Sequence, residues 1–529
     1  MLTQKESRIN TLNERIFQPV LKTVTDDYIK KRALRDSWIS KPHLILFGVG
    51  TVITGEFAAW NTGLMYGWGS MVVATILAGL HYLCLLLCLS ELSSALPFSG
   101  GVLTITTASM GNVFGYIIGL VIFMQNLLPY SQTALLVSNY YMRLAKLTPD
   151  QVDYWKYIVS FIVILVNSII VIDLKLFHRV ISVLTCISIL QIVTISFLMI
   201  PTFSKSDFWL NVGIMDFNSF LPNGIVGILS CMPFAIWFYV GVETLPNLTE
   251  EAKDASTNIP KGMLYGYGIL STLVVIVMTL VGCNPGIDSL QSSIDPLNDL
   301  LFINYDINPS SVFGMTIQWT LSLAHHVSTI GFSIACIRVM YSLSRGGYFP
   351  TSLSITYQRS SPNSFGHGSP IYAILASSVA SYAMVVVTFL VSNTPQVSFL
   401  VYGSAFYTLT AAIFVFISYI ILKFKSPHLQ RPFDLSKYTN PYIVPILGII
   451  LDSFAIFGCF TSNAHNIIVF YLLVIQVFLS LLYYIFYVRH RLILSTEQKF
   501  IKLRISKMKQ ELILKDQQKL KKSGRSVLQ

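Results

Sequence analysis

The sequence predicts an all-α integral membrane protein with about twelve transmembrane helices, and three observations lead to that prediction. Of its 529 residues, 53% are hydrophobic and 12% are charged, whereas an ordinary soluble domain is about 25% charged. Apolar runs of roughly 20 residues, the length a helix needs to cross a bilayer, recur along the whole chain. Glycine, proline and acidic residues interrupt two of these runs, the first and the sixth.

The apolar runs define the predicted spans in chain order. They lie at 43–67, 70–96, 112–142, 156–173, 178–201, 224–248, 263–283, 312–343, 371–391, 396–423, 441–461 and 464–488. We therefore expect three regions: an N-terminal arm over 1–42, a twelve-helix domain over 43–488 and a basic tail over 489–529. The arm is polar and mixed in charge, without a short apolar region and cleavage site, so the first span should act as its own insertion signal.

The distribution of basic residues predicts the orientation of these spans. The arm and the loops on its side of the membrane are rich in Lys and Arg, whereas the opposite loops over 284–311 and 391–396 contain none. By the positive-inside rule both termini are cytoplasmic, although Arg143, Lys146 and Lys156 fall on the outer side as exceptions. The plasma membrane is the expected location because the sequence carries no organelle motif.

This orientation also accounts for the formal net charge of +11, so no nucleic-acid partner is expected. Two interpretations of the basic tail are open. Ile501, Leu503, Met508 and Leu512 have helical spacing, which suits a helix lying on the anionic leaflet of the bilayer. A solvated tail that merely satisfies the orientation rule is the simpler interpretation.

The first and sixth spans are interrupted in comparable ways. The first contains "GVGTVITGEFAAWNTGL" over 48–64, with four glycines and Glu56, and the sixth contains "FAIWFYVGVETLPNLTEE" over 234–251, with Gly241, Glu243 and Pro246. Glycine weakens a helix and proline removes a backbone donor, so both segments should unwind where they can face a protein-lined cavity. Paired breaks at the first helix of each five-helix half indicate a 5+5 inverted-repeat transporter core with broken helices 1 and 6.

Five short segments, in order, resemble the amino acid-polyamine-organocation superfamily of permeases over about residues 40 to 440. They are "LPFSGG" (96–101), the sixth-span segment with the stretch that follows it, "RVMYSLSRGGYFP" (338–350), "SPIYAI" (369–374) and "RPF" (431–433). Gly346 stands where the family usually has aspartate. The resemblance implies a secondary active transporter that works by alternating access, with its substrate at the crossing of the broken helices.

Within that superfamily, "GEFAAWNTGL" over 55–64 resembles the ethanolamine-permease branch. The chain departs from that branch at Ala59, where glycine is expected, and at Leu103 and Thr104, where relatives commonly have an aromatic residue. The departures leave the exact substrate open.

Glu56 favours a substrate that carries an amine. In amino-acid permeases of this fold, the break in span one offers backbone N–H groups to the substrate carboxylate, and a neighbouring carboxylate would repel that group. An ammonium without a carboxylate would be attracted, and nearby aromatic rings could add cation–π contacts. The predicted substrate-binding residues are Thr54, Gly55, Glu56, Trp60, Phe238, Tyr239, Gly241 and Glu243.

Alternatives are open for several of these residues. Glu56 could instead cap the restarted half of span one, and the aromatic residues of span six could be ordinary packing. Glu243 has a family counterpart that holds a gate or a proton in place of substrate.

Candidates for a coupling ion, H⁺ or Na⁺, are Glu243, Ser328, Thr329 and His325. Ser328 and Thr329 have the position at which sodium-coupled proteins of this fold place hydroxyl ligands. A histidine titrates near neutral pH and could relay protons, but a buried neutral histidine that is hydrogen-bonded to a neighbouring helix is the simpler interpretation of His325. Proton-coupled relatives often carry a lysine in span five, where this chain has Ser188. Asp452 in span eleven has no evident partner in the sequence and is expected to line the outer vestibule.

The favoured function is therefore a permease for ethanolamine or a related amino alcohol or organic cation. An amino acid or polyamine permease of the same superfamily is the alternative, and a nutrient sensor on a transporter scaffold is a second alternative. We expect no enzyme, since the chain lacks a catalytic constellation such as HExxH, and no nucleotide-driven pump, since it lacks GxxxxGK[ST]. Seven cysteines without CxxC or zinc spacing predict no metal, and no cofactor is expected.

Overall fold

The computed structural model describes residues 28, 30–34, 38–147, 149–212, 220–284, 287–358, 364–390, 396–427, 429–462 and 465–493. Most of the predicted N-terminal arm and nearly all of the basic tail, including Ile501 to Leu512, lie outside the described residues. Within the described part the chain is helical, and its β-type pairing is limited to two isolated bridges, Ile39 with Ala252 and Tyr357 with Ser369.

Ten of the described helices are long and apolar enough to cross a membrane. They form spans two to five and seven to twelve. In chain order they are Trp68–Ala95, Asn112–Leu144, Pro149–Ile172, Leu174–Met199, Ala255–Cys283, Val312–Arg345, Ile371–Leu390, Gln396–Lys425, Ile443–Ser462 and His465–Phe486. Shorter helices connect them at Gly101–Met110, Lys205–Val212, Ile287–Leu290 and Pro296–Tyr305.

Spans one and six are broken, as predicted. Span one consists of Lys41–Val52, Thr54–Phe57 and a 3₁₀ turn over Asn61–Tyr66. Span six consists of Gly224–Ile236 and a 3₁₀ segment over Val242–Leu248. The prediction of an all-α core of about twelve spans, with helices 1 and 6 broken, is confirmed.

Most predicted span boundaries agree with the helices to within a few residues, but span four begins at Pro149 instead of residue 156, and span seven also begins earlier than expected. The apolar run starts at residue 263, whereas the helix starts at Ala255. Hydropathy reports only the length of helix that matches the hydrocarbon core, so it misses a polar first turn that continues beyond it.

The backbone explains where the two breaks fall. Ala58 is extended, with φ −152° and ψ 163°, and Ala59 has φ 78°. Gly241 has φ 123°, a conformation that costs glycine little. Ala59 thus adopts a left-handed conformation, which typically costs a residue with a Cβ about 1–2 kcal/mol.

Both ends of the described chain pack at the same end of the bundle, here called the terminal end. Arg32 Nε donates to Ser354 Oγ at 2.9 Å, and Ile493 N donates to the Gly346 carbonyl at 3.2 Å. The connection after span seven covers the other end, where Asn61 Nδ2 donates to the Leu290 carbonyl at 2.6 Å. An even number of crossings requires this arrangement.

Span eight lies in the centre of the bundle. The apolar window of this helix is entirely buried, and it packs along span three and against spans one and five. Span twelve is the most peripheral of the ten intact spans. Span eight is therefore the helix against which the break of span one is positioned.

Candidate functional site

The two broken helices touch at Gly55. A Cβ atom at this position would lie 2.7 Å from the Trp237 carbonyl oxygen and 3.3 Å from Phe238 Cα. Beside this contact, the Trp60 and Phe238 rings stack with centroids 5.8 Å apart. The structure therefore brings Gly55, Trp60 and Phe238 together at the crossing, although their role in binding substrate stays a prediction.

Glu56 is completely buried beside this crossing. Neither oxygen of its carboxylate has a hydrogen-bond partner among the described residues. The Tyr239 phenol interacts with it electrostatically, while Trp60 Nε1 donates to the Glu56 main-chain carbonyl at 3.2 Å. Among the described residues the Glu56 side chain makes no capping bond, so the capping interpretation is wrong.

A buried carboxylate with two unpartnered oxygens is expensive when it is charged, by several kcal/mol in real proteins. The cost is removed by a proton or by a cationic group placed against the oxygens. Glu56 is therefore chemically suited to receive an ammonium group at the crossing.

Span one is tied to span eight through Thr54. Thr54 N donates to Ser328 Oγ at 3.1 Å, and Thr54 Oγ1 lies 3.2 Å from His325 Nδ1. Ser328 Oγ in turn donates to the Gly50 carbonyl at 3.0 Å, whereas Thr329 Oγ1 donates to the His325 carbonyl within its own helix. Ser328 and His325 thus position the break of span one, and Thr329 has an ordinary helical partner.

Glu243 connects the break of span six to span three. Its Oε1 accepts from Gln125 Nε2 at 2.7 Å, and its Oε2 accepts from Gly241 N at 2.9 Å. Both oxygens are thus engaged, in contrast to those of Glu56. Glu243 also lines a small cavity of about 20 Å³, together with Gln125, Asn126, Thr244, Asn247 and Thr408 among others.

The expectation that Asp452 has no partner and lines an outer vestibule is wrong. Asp452 Oδ1 lies 2.7 Å from His81 Nε2, and both side chains are fully buried. The sequence contained one signal of a buried polar contact, which is His81 within the apolar first half of span two. It could not indicate the pairing, because the two residues lie 371 positions apart.

Motifs that carried the family resemblance meet at the terminal end. Arg345 makes a bidentate pair with Glu250, at 2.5 Å from Nη2 to Oε1 and 2.9 Å from Nη1 to Oε2. Ser99 of "LPFSGG" donates to the same carboxylate at 2.8 Å. Arg338 Nη2 pairs with Glu251 Oε1 at 2.5 Å. These contacts join the ends of spans two, six and eight.

Within the described part of the chain, no group of three or more His, Cys, Asp or Glu side chains is arranged to hold a metal ion.

The chain is similar to known permeases and transporters. The model of a family described as amino acid permease matches residues 40–486. The branched-chain amino acid permease BcaP of Bacillus subtilis is 23% identical over 435 residues, which cover 78% of this chain and 86% of the relative. The methylthioribose transporter of B. subtilis is 25% identical over 58% of this chain and 67% of its own length. The histidine permease of Saccharomyces cerevisiae is 25% identical over 61% and 55%.

These relatives are transporters, and their names favour the amino acid alternative over ethanolamine. The matched range extends over all twelve spans and contains both helix breaks. The chain belongs to the amino acid permease family of multi-pass membrane proteins.

Proposed function

We propose that this protein is a secondary transporter that moves an amino acid across the membrane by alternating access, with the substrate's ammonium group held at Glu56. The observation that carries the proposal is the buried Glu56 carboxylate, whose two oxygens have no hydrogen-bond partner among the described residues. Most of the relatives named above act on amino acids, which supports that substrate class.

The geometry suits a site that opens to one side at a time. Interactions that link the broken helices to their neighbours lie at both ends: Asn61 to the 290–293 segment, and Glu250 to Arg345. Breaking one set while keeping the other would expose the crossing to one side only. We propose that the terminal end is cytoplasmic, as the basic residues predict, and that the protein resides in the plasma membrane.

An amine without a carboxylate, such as ethanolamine, is the second candidate. It is favoured by Glu56 itself, since an ionised carboxylate at the crossing repels the carboxylate of an amino acid by several kcal/mol at reduced dielectric. An amino acid avoids that repulsion if its own carboxylate lies away from Glu56.

The experiment that separates these substrates is uptake into reconstituted vesicles of labelled leucine, histidine, lysine, ethanolamine and putrescine, with proton and sodium gradients imposed separately. Saturable uptake of at least one amino acid supports the proposal. Uptake of ethanolamine alone selects the second candidate, and binding without uptake of any compound supports a sensor.

Replacing Glu56 by glutamine tests the role of its charge. Glu56→Gln removes a buried ammonium contact while keeping the shape, which costs about 2–5 kcal/mol, so the apparent affinity should fall about 30-fold or more. Concentration-dependent uptake measures this effect. Unchanged affinity in Glu56→Gln would remove Glu56 from the binding site.

Two variants serve as comparisons for Glu56→Gln. Asp288→Asn neutralises an exposed carboxylate in the connection after span seven and should leave the affinity unchanged. Glu243→Gln places a neutral amide where the parent has a carboxylate that accepts two hydrogen bonds. It should slow turnover or alter the pH dependence, with a smaller change in binding.

A further inference from the structure

Spans two and eleven share a fully buried acid–base pair in the membrane interior. His81 Nε2 lies 2.7 Å from Asp452 Oδ1, and the exposed fraction of both side chains is 0%. Each residue is near the middle of its helix, Trp68–Ala95 for His81 and Ile443–Ser462 for Asp452. Placing a carboxylate at this depth costs at least about 2.5–3.5 kcal/mol, so packing alone gives no reason to keep it there.

The pair can bind one proton, and it has no other ionic partner among the residues that the structure describes. His81 Nδ1 and Asp452 Oδ2 lack hydrogen-bond partners among the described residues, and within that part of the chain no Lys or Arg forms an ion pair with Asp452. Neutral histidine with ionised aspartate leaves one uncompensated negative charge in an apolar interior, which is costly. One added proton, held between Nε2 and Oδ1, makes the pair neutral overall.

The side chains around the pair include aromatic rings, phenols and a thiol. Phe416 of span ten packs edge-on against His81, with ring centroids 6.0 Å apart. Tyr82 of span two and Cys459 of span eleven interact electrostatically with Asp452. Other titratable residues on elements packed against span two include Cys231 and Tyr239 of span six, Tyr419 and Lys423 of span ten, and Tyr267 of span seven, whose hydroxyl donates to the Gly79 carbonyl.

Tyr82 links the pair to the break of span six. Its phenol interacts electrostatically with both Asp452 and Glu243, and its ring packs against Tyr239 with centroids 5.4 Å apart. Glu243 in turn accepts a hydrogen bond from Gly241 N at the break and lines the adjacent cavity. A movement of span six that widens this cavity would bring water towards Glu243, Tyr82 and the pair.

We propose that His81 and Asp452 form a proton-binding site that couples transport to a proton gradient, an inference that rests on the proposed transport function. The pair takes a proton from water on one side of the membrane, keeps it while the site is closed, and releases it to water on the other side. Only N–H or O–H bonds form and break.

The test uses the full-length protein in sealed vesicles, with labelled leucine, histidine and lysine as probes. Two rates are compared: net uptake driven by an imposed pH gradient, and exchange of internal for external substrate without a gradient. With one proton per substrate, each pH unit can raise accumulation by up to about tenfold. A pH dye inside the vesicles should report proton entry with substrate.

Asp452→Asn should lose the response to the pH gradient and the proton signal while keeping exchange within about twofold of the parent. The double variant His81→Gln with Asp452→Asn keeps a neutral hydrogen bond between the helices and should behave in the same way. Tyr407→Phe is the matched control, because it removes a partly buried hydrogen bond elsewhere in the bundle. Tyr407 of span ten donates this bond to Gln476 Oε1 of span twelve at 2.5 Å, and its loss should leave both rates unchanged.

Each outcome bears on the proposal. Exchange by the parent without any response to the pH gradient overturns the proton site but leaves the transport function intact. A response retained in Asp452→Asn or in the double variant also overturns it, as does equal loss of both rates in folded variants. Absence of both exchange and uptake in the parent contradicts the proposed function itself.

Discussion

At Gly55, a hydrogen atom stands where any other residue would place a Cβ 2.7 Å from the Trp237 carbonyl oxygen. The neighbouring atom belongs to backbone, which cannot rotate away as a side chain can. A larger residue here must push spans one and six apart, and overpacking of this kind typically costs about 1–3 kcal/mol.

We therefore expect Gly55→Leu to reduce uptake to below about one tenth of the parent rate while the protein still folds and inserts. Uptake into vesicles, normalised to the amount of correctly folded protein, measures this. Gly268→Leu in span seven is the matched control, because Gly268 is exposed and has open space around its Cβ position. Normal uptake by Gly55→Leu would show that the crossing tolerates a side chain there.

At the scale of elements, the ends of spans two, six and eight are joined through Glu250, which lies beyond the end of span six. Burial alone raises the pKa of this carboxyl, but the charge and hydrogen bonds of Arg345 and the hydrogen bonds from Ser99 outweigh it and lower the pKa to about 2. In the unfolded chain the pKa is about 4.3. The ion pair therefore stabilises the fold above about pH 4.3, and its contribution is lost as the pH falls towards 2.

This linkage predicts a pH-dependent effect of Glu250→Gln. With 24% of the Glu250 side chain exposed, we expect a loss of about 1–3 kcal/mol at pH 7, falling to about half that value at pH 3. Thermal unfolding of the purified protein at pH 7 and pH 3 measures the difference. The exposed Asp254→Asn on the same loop should show little change at either pH. An equal loss of stability for Glu250→Gln at both pH values would mean that the carboxylate charge does not contribute to the stability of the fold.

At the scale of the whole molecule, both ends of the described chain, at Arg32 and Ile493, lie at one end of a bundle with an even number of crossings. Single cysteines placed near Lys41, Lys253 and Lys437 should react with an impermeant reagent only from the cytoplasm, whereas positions over 287–311 should react only from outside. Cys186, an exposed native cysteine, is first replaced by serine. Labelling of the first group from outside would reverse the orientation, and labelling of both groups from one side would contradict the architecture.

The sequence by itself determined the architecture. Apolar runs, interrupted at Gly55 to Ala59 and at Gly241 to Pro246, specify twelve crossings and two breaks, because hydrophobic length and helix-breaking residues act locally along the chain. Glycine and acidic residues at the breaks likewise indicated that the functional site lies where spans one and six cross.

Only the tertiary structure decided which side chains meet there. It left Glu56 without a hydrogen-bond partner among the described residues, engaged both oxygens of Glu243, and paired His81 with Asp452 across 371 positions. A hydrogen bond depends on the approach of two atoms to about 3 Å, and the packing of whole helices determines that approach. The sequence therefore determines the chemical type of each side chain, whereas the tertiary structure determines its hydrogen-bond partner.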